Sequence, residues 1–271
     1  MRNKKDLVHK PRKHLGQNFL NDQHIIRKII DACHLKSDET VLEIGPGLGA
    51  LTQHIALGVK CFHAVEKDKD LCDHLRENIT SSNTTFHCQD VLGFDLARLP
   101  SPVKVIGNLP YNISSPIMEK LIQNRGRISE IFITVQFEFG KRLAAEPGSK
   151  DYSALSCVIQ YYAKPKILFK IKNTCFSPAP KVESCFVRIQ FKSAPDPQAL
   201  DEKLFLRLVK GAFQQRRKQI QNSLAAFIPK SDMKQLFEAL SIDPQARAED
   251  LSVADYVRIA NAIANPVFPG R

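Results

Sequence analysis

The chain has few acidic residues for its size. Its 271 residues include 28 Asp and Glu against 39 Lys and Arg, so the formal net charge at pH 7 is +11. This excess indicates a polyanionic partner, although a charge total alone leaves nucleic-acid binding and general solubility both open. Hydrophobic residues make up 43% and charged residues 25% of the sequence, which is typical of a globular protein and excludes a low-complexity disordered chain.

The sequence also lacks a long apolar run. Its best uncharged stretch, residues 105–118, contains two prolines and two asparagines, and it is shorter than the roughly 20 apolar residues that a membrane-spanning helix needs. The N-terminus is charged and has no apolar segment followed by small residues, so we expect no secretory signal. These features predict a cytoplasmic protein without a membrane partner.

Metal-site patterns are missing as well. The seven cysteines include no C-x-x-C pair and no Cys/His cluster at zinc-like spacing. Most of them, including Cys61, Cys88, Cys157 and Cys185, lie in apolar segments, where a free thiol behaves as a small hydrophobic side chain. We therefore expect a reduced chain with free thiols and no metal.

The middle of the chain alternates between short β-rich runs and helical segments. Strands are predicted at 41–44, 61–65, 85–88, 103–107 and 131–136, with helices at 50–57 and through Leu71, Leu75 and Ile79. A late strand pair is predicted at 167–171 and 185–191, and residues 153–162 favour a helix. This alternation is typical of βαβ units and predicts an α/β fold with a mainly parallel sheet.

Two changes of composition suggest domain boundaries. Residues 1–14 are rich in Lys and Arg and predict a mobile basic arm, whereas Ser193-Ala194-Pro195-Asp196-Pro197 predicts a linker. Beyond the linker, apolar residues recur at helical spacing. They are Phe205, Leu208, Val209, Ala212 and Phe213. We expect an α/β domain over 15–195 and a small all-α domain over 196–271.

A glycine loop follows the first predicted strand. Residues 43–49 read EIGPGLG, and glycines at Gly45, Gly47 and Gly49 let a backbone approach a ligand closely. The spacing differs from the G-x-G-x-x-G of dinucleotide sites. Glu66 lies 21 positions after Gly45 at the end of the second strand, where an acid binds ribose hydroxyls, and Asp90 ends the third strand.

These three strand ends predict a ligand with ribose and adenine but no pyrophosphate. Asp90 offers an acceptor for an adenine amino group, and S-adenosylmethionine fits this description. The alternative interpretation is a glycine turn with two solvated acids, which the shared position of the three strand ends disfavours.

A second motif, Asn108-Leu109-Pro110-Tyr111, directly follows the fourth predicted strand. This motif suits methyl transfer to the exocyclic amine of adenine. That amine is a poor nucleophile because its lone pair is delocalised into the ring. Oxygens of the Asn108 side chain and the Leu109 backbone would accept hydrogen bonds from its two N–H groups. They would thereby stabilise the charge that develops on methyl transfer. Pro110 would fix the turn, and Tyr111 would stack on the base. An Asn-capped turn with Tyr111 in the core is the alternative.

With these motifs the chain resembles the small-subunit ribosomal RNA adenine N6,N6-dimethyltransferases, the dimethyladenosine transferases. The matching motifs are LGQNFL at 15–20, EIGPGLG at 43–49, Glu66, Asp90, NLPY at 108–111 and FSPAPKV at 176–182. The resemblance implies a Rossmann-like class I methyltransferase domain with a mainly parallel twisted sheet, plus a small all-α C-terminal domain.

The same resemblance implies dimethylation of two adjacent adenosines in the 3′-terminal hairpin loop of 16S rRNA, with S-adenosylmethionine as donor. The partner would be small-subunit rRNA within a ribosomal assembly intermediate, and the protein would act as a monomer. We also predict that Phe176 stacks on the flipped adenine opposite Tyr111; a core anchor for its loop is the alternative. The resemblance implies cofactor contacts from Asn18, Leu20, Gly45, Glu66, Asp90 and Asn108. We also predict cofactor contacts from Gln17, Gly47 and Gly49.

Basic residues of the helical tail are candidates for RNA phosphate contacts. Between residues 203 and 230 the sequence carries cations and no acid, so we expect contacts that position RNA without reading its sequence. The candidates are Lys203, Arg207, Lys210, Arg216, Arg217 and Lys218.

Three other functions stay open from the sequence. A dimethylase of large-subunit rRNA would share the cofactor loop and the Asn108 motif, and a DNA adenine methyltransferase would need the same chemistry. A non-catalytic RNA-binding assembly factor would keep the fold without the reaction, although the intact 108–111 motif disfavours it.

Overall fold

The structure, a computed structural model, describes residues 11–12 and 15–265. It divides into two compact units, one made of Met1–Gly140 and Lys166–Phe191, the other of Lys141–Pro165 and Lys192–Arg271. The second unit therefore includes residues 141–165, which lie within the α/β domain that the sequence predicts over 15–195. Most of the predicted basic arm, residues 1–10 with 13 and 14, lies outside the described residues.

The described residues form both strands and helices along most of the chain. The strands are β1 (Phe19–Leu20), β2 (Thr40–Ile44), β3 (Cys61–Glu66), β4 (Thr84–Cys88), β5 (Val103–Asn108), β6 (Ile128–Gln136), β7 (Ala163–Ile171), β8 (Phe176–Ser177) and β9 (Ser184–Phe191). The helices are α1 (Gln23–Cys33), α2 (Thr52–Gly58), α3 (Lys69–Asn78), α4 (Ser114–Gln123), α5 (Phe137–Leu143), α6 (Ala154–Tyr162), α7 (Glu202–Gln214), α8 (Ile220–Ser223), α9 (Lys230–Leu240) and α10 (Val253–Ala264).

The first unit is built on a seven-stranded sheet with the order β4-β3-β2-β5-β6-β9-β7. The pairs from β4 through β6 are parallel, and β9 runs antiparallel to β6. The central strands β2 and β5 are buried along nearly their whole length, as expected where helices cover both faces of a sheet. The predicted α/β fold with a mainly parallel sheet is confirmed, and each predicted strand is present within a few residues.

A small two-stranded sheet joins two distant segments. Leu20 of β1 lies opposite Phe176 of β8 in an antiparallel pair, and both side chains belong to the core between the sheet and α1. Asp22 caps α1 by accepting backbone N–H bonds from His24 and Ile25 at 2.9 and 3.0 Å, so this cap stabilises the helix that follows. The pairing of β1 with β8 places the 15–20 motif and the 176–182 motif side by side.

The second unit is helical. The predicted apolar stripe lies on α7, where Phe205, Leu208 and Val209 are fully buried. Tyr161 of α6 packs against Phe205 with ring centroids 4.3 Å apart, which explains why residues 141–165 belong to this unit. No helix within residues 15–265 is long and apolar enough to cross a membrane.

The prediction of free thiols is wrong for two cysteines. Cys72 on α3 and Cys88 at the end of β4 are bonded to each other in a disulfide. The pairing was not predictable because the two residues are separated by 16 positions and become neighbours only when α3 packs beside β4. The other five cysteines carry free thiols.

Candidate active site

The carboxyl ends of four parallel strands meet at one edge of the sheet. There the glycine loop after β2, Glu66 at the end of β3, Asp90 just after β4 and Asn108 at the end of β5 line one cleft. Its non-protein space, counted out to the open mouth, is about 1130 Å³. The cleft lies where open parallel α/β sheets bind their ligands.

The glycine loop lines the floor of the cleft because of its backbone geometry. Gly45 and Gly47 have φ of 68° and 59°, a left-handed conformation that other residues rarely adopt. A Cβ on Gly47 would lie 2.9 Å from the Phe19 ring, so a larger residue would push the loop and the 15–20 segment apart. Gly49 does not line the cleft; a Cβ there would meet Leu75 at 3.0 Å.

Glu66 is a buried carboxylate held by backbone donors. Its two oxygens accept N–H bonds from Gly47 at 3.1 Å and Asp68 at 2.8 Å. Burial raises the pKa of Glu66, while these two donors oppose that rise. Because a carboxylate has about four acceptor positions, Glu66 keeps acceptor capacity for ribose.

Asp90 is more exposed and pairs with a neighbouring cation. Its carboxylate accepts from Lys67 Nζ at 2.8 Å and from the Leu92 backbone at 2.9 Å. The Lys67 bond, followed by the Leu92 bond, lowers the pKa of Asp90, so this side chain stays an acceptor at neutral pH.

Glu43 is a buried acid at the cleft for which the sequence predicts no role. It lines the cleft, is 2% exposed, and accepts a 2.7 Å hydrogen bond from the Thr52 hydroxyl. Burial raises the pKa of Glu43 to about 8. At neutral pH this carboxyl group is therefore mostly protonated. Its only sequence signal was an acid inside a buried strand.

The 15–20 segment borders the cleft and is tied to the strand ends. Gln17 donates to Asp68 at 2.8 Å, and Arg12 forms ion pairs with Asp68 at 3.2 Å and Asp70 at 2.6 Å. Arg12 is thus held on the folded protein, contrary to its predicted place in a mobile arm. Asp68 has no exposed side-chain surface, and these contacts bond its buried carboxylate to the 12–17 segment.

Asn108 presents its side-chain oxygen because its nitrogen is engaged. Asn108 Nδ2 donates to the backbone carbonyl of Asn18 at 2.9 Å, and a carbonyl only accepts. The Leu109 N–H donates to Thr134 at 3.0 Å, whereas the Pro110 carbonyl accepts from Ser114 at 3.0 Å.

Two oxygens of this motif remain available for a substrate. Neither the Asn108 side-chain oxygen nor the Leu109 carbonyl has a donor within residues 15–265. They are the same two oxygens in which the sequence predicts acceptors for an amine.

Tyr111 lines the cleft beside this motif. Its hydroxyl shares a 2.6 Å hydrogen bond with Ser184, which is fully buried at the start of β9. Burial raises the pKa of Tyr111, so it remains a neutral phenol. The hydrogen bond anchors the far end of the ring while its body stays half-buried at the cleft.

Phe176 lies in a different environment from Tyr111. It is 3% exposed, belongs to the core cluster that contains Leu20 and Ile29, and is not among the cleft-lining residues. This placement favours the alternative in which Phe176 anchors its loop. The prediction that it stacks on the target base would require it to leave this core.

The cations of the helical tail fall into two groups. Lys203, Arg207 and Lys210 on α7 are exposed, as are Arg217 and Lys218 after it. Arg216 is instead neutralised by Glu249, which accepts from its Nε at 2.9 Å. Arg216 is therefore compensated, contrary to the prediction from the acid-free 203–230 segment, because Glu249 lies 33 positions later in the chain and contacts it.

The cleft residues fit S-adenosylmethionine. Glu66 offers oxygens for ribose, Asp90 offers an acceptor for the adenine amine, and Gly45 and Gly47 line the same cleft. Gln17, Asn18 and Leu20 also line the cleft. Among the described residues, His, Cys, Asp and Glu form no cluster suited to a metal ion.

Known proteins are similar to this chain over nearly its whole length. The ribosomal RNA small subunit methyltransferase A of Aromatoleum aromaticum is 46% identical over 256 residues, covering 94% of this chain and 95% of that protein. The protein of the same name from Thiobacillus denitrificans is 42% identical over 257 residues, covering 95% and 99%.

Solved structures show the same fold. A dimethyladenosine transferase from Plasmodium falciparum superposes with a TM-score of 0.78 at 24% identity, covering 89% of this chain and 95% of that one. The 23S rRNA methyltransferase ErmE gives a TM-score of 0.75 at 24% identity, covering 92% and 100%.

The family model described as ribosomal RNA adenine dimethylase matches residues 8–265. That match spans both the cleft with its Asn108 motif and the helical unit. With the cleft geometry and the full-length relatives, it shows that this chain belongs to the ribosomal RNA adenine dimethylase family and is an S-adenosylmethionine-dependent methyltransferase.

Proposed function

We propose that this enzyme dimethylates the N6 amines of two adjacent adenosines in the 3′-terminal hairpin loop of small-subunit rRNA, during assembly of the subunit. The observation that carries this proposal is the pair of free acceptor oxygens on Asn108 and Leu109 beside the cofactor cleft. The relatives named for small-subunit methylation, similar over their full length, support the choice of rRNA.

The two oxygens act on the nucleophile. They accept hydrogen bonds from the two N–H groups of the adenine amine and stabilise the positive charge that develops on its nitrogen. Each such bond contributes about 1.5–3 kcal/mol. S-adenosylmethionine supplies, when bound, a methyl group made electrophilic by positively charged sulfur.

Positioning contributes more than these hydrogen bonds do. Holding two reactants in line is worth up to roughly 7–11 kcal/mol, and the Pro110 turn fixes both oxygens relative to the strand end. Tyr111 then provides a ring face for the extruded base, which compensates for stacking lost from the RNA. The proton of the methylated amine passes to water, so the site needs no strong base.

Exposed cations of the helical unit supply phosphate contacts in this proposal. Lys203, Arg207 and Lys210 share one face of α7, and Arg217 and Lys218 add two more exposed charges. We propose that the enzyme works as a monomer in the cytoplasm.

Labelled S-adenosylmethionine with undermethylated small subunits tests the proposal. We expect N6,N6-dimethyladenosine in the small-subunit rRNA and none in large subunits treated in parallel. Asn108→Ala should lower turnover by roughly 10- to 100-fold, since it removes one acceptor of a charged group. Label in large-subunit rRNA alone would contradict the substrate, and full activity of Asn108→Ala would contradict the mechanism.

A further inference from the structure

The strand at one edge of the sheet carries a run of lysines. Between residues 163 and 182 the sequence contains five lysines and no acid. β7 stands last in the strand order, with β9 on one side and no strand of the described residues on the other. Lys166, Lys170 and Lys172 follow one another at intervals of four and two residues on this segment. All three are exposed.

A fourth lysine joins this edge from the adjoining helix. Lys28 of α1 lies with its Nζ 4.2 Å from the centre of the Phe169 ring, and Lys170 Nζ lies 4.0 Å from the centre of the Phe137 ring. Such cation–π contacts orient an ammonium group but leave its charge in place. Lys28, Lys166, Lys170 and Lys172 are called the edge lysines below.

The edge lysines differ from other cations of the same unit. Lys67 pairs with Asp90 at 2.8 Å, Arg12 pairs with two acids, and Arg188 pairs with Glu130. None of the edge lysines forms an ion pair with an acid in the part of the chain that the structure describes. Four uncompensated charges therefore lie along one strand and the helix beside it.

The chain connects this edge to the reacting motif. After Lys172 it runs through β8 and the 178–183 loop to Ser184, whose hydroxyl bonds Tyr111. A polyanion lying along the edge lysines would thus follow the protein segment that leads to the base-binding residue. A folded RNA has such a line of charges, because every nucleotide carries a phosphate.

We propose that the edge lysines dock the phosphate backbone of the RNA on one flank of the modified loop. This inference rests on the proposed function and adds a contact surface to the one on α7. Lysines on edge strands also prevent edge-to-edge aggregation, and the following test separates the two roles.

Two double variants leave the fold's internal contacts intact. Lys166→Gln with Lys172→Gln removes two edge charges, and Lys36→Gln with Lys60→Gln is the matched control. Both control lysines are exposed, and their backbone N–H groups bond to Glu39. Lys36 precedes β2 and Lys60 precedes β3, so they lie at the amino ends of these strands, whereas the cleft lies at the carboxyl ends. Binding of a small-subunit rRNA hairpin is measured over a series of salt concentrations, together with S-adenosylmethionine affinity and monomer content.

We expect the edge variant to bind RNA about tenfold more weakly at roughly 0.1 M salt, with a salt slope smaller by about 2. S-adenosylmethionine affinity should stay unchanged, and the control should match the wild type. Lys28→Gln with Lys170→Gln should give the same loss.

Wild-type RNA affinity and slope in both edge variants would overturn the docking surface, and aggregation with unchanged RNA binding would assign these lysines to edge protection instead. RNA binding is measured without turnover, so its result does not depend on methylation. A wild-type enzyme that fails to methylate small subunits would contradict the proposed function, and the binding result would still test the docking surface.

Discussion

The hydroxyl groups of Tyr111 and Ser184 lie 2.6 Å apart although 73 positions separate them in the chain. Ser184 is fully buried in β9, whereas Tyr111 borders the cleft. The bond therefore holds the hydroxyl end of the tyrosine ring in place.

Ser184→Ala should lower kcat for methyl transfer by about 3- to 10-fold, since a hydrogen bond is worth about 0.5–1.5 kcal/mol. Tyr111→Phe should have a similar effect, and the double variant should be no worse than either single one. S-adenosylmethionine affinity, measured by calorimetry, should not change. Additive losses in the double variant would argue against this coupling.

Arg12→Gln should weaken S-adenosylmethionine binding while kcat at saturating cofactor stays close to normal. Arg12 and Gln17 both contact Asp68, whose backbone in turn supports Glu66. Loss of the ion pair frees the 15–20 segment beside the cleft. Arg76→Gln is the control, because Arg76 pairs with Asp73 on the exposed face of α3. Equal cofactor affinity in both variants would exclude the role of Arg12.

Glu43 makes the stability of the enzyme depend on pH. Its pKa is about 8 in the folded protein and 4.5 as the ordinary value, so the folded state binds more protons across that interval. Stability must therefore fall as pH rises from about 4.5 to 8. Glu43→Gln keeps an acceptor for Thr52 and removes the titration. The Tm of this variant relative to that of the wild type should therefore increase from pH 5.5 to pH 8.

Thermal unfolding at several pH values measures this gain. Glu77→Gln, an exposed substitution on α3, serves as the control and should follow the wild-type curve. Parallel curves for Glu43→Gln and the wild type would show that Glu43 does not titrate in this interval.

Phe176→Leu separates the two roles considered for Phe176. If the side chain is a core anchor, leucine should retain most turnover and cost less than about 1.5 kcal/mol of stability. Phe176→Ala should destabilise the fold by roughly 3–5 kcal/mol. A folded Phe176→Leu enzyme with normal stability and a large loss of kcat would instead support stacking on the base.

The strand-end residues of the site were predictable from the sequence because each follows an apolar run directly. Parallel strands end at a common edge, so Gly45, Glu66 and Asn108 were expected to meet, and they line one cleft. The two acceptor oxygens followed from the same reasoning.

The partners of these residues could not be predicted because they come from remote positions. Asp68 meets Arg12 across 56 positions, and Glu249 neutralises Arg216 across 33. A window of sequence shows a run of cations, but it does not show an acid brought beside them by folding. The disulfide between Cys72 and Cys88 was hidden for the same reason.

The reversed direction of β9 has a consequence for synthesis of the enzyme. Because β9 runs opposite to β6, it enters the sheet at the edge where the parallel strands finish, and Ser184 arrives there late in translation. A nascent chain that does not yet include residue 184 already contains every residue predicted to contact the cofactor. The bond that holds Tyr111 in place therefore forms only after all of those residues have been synthesised.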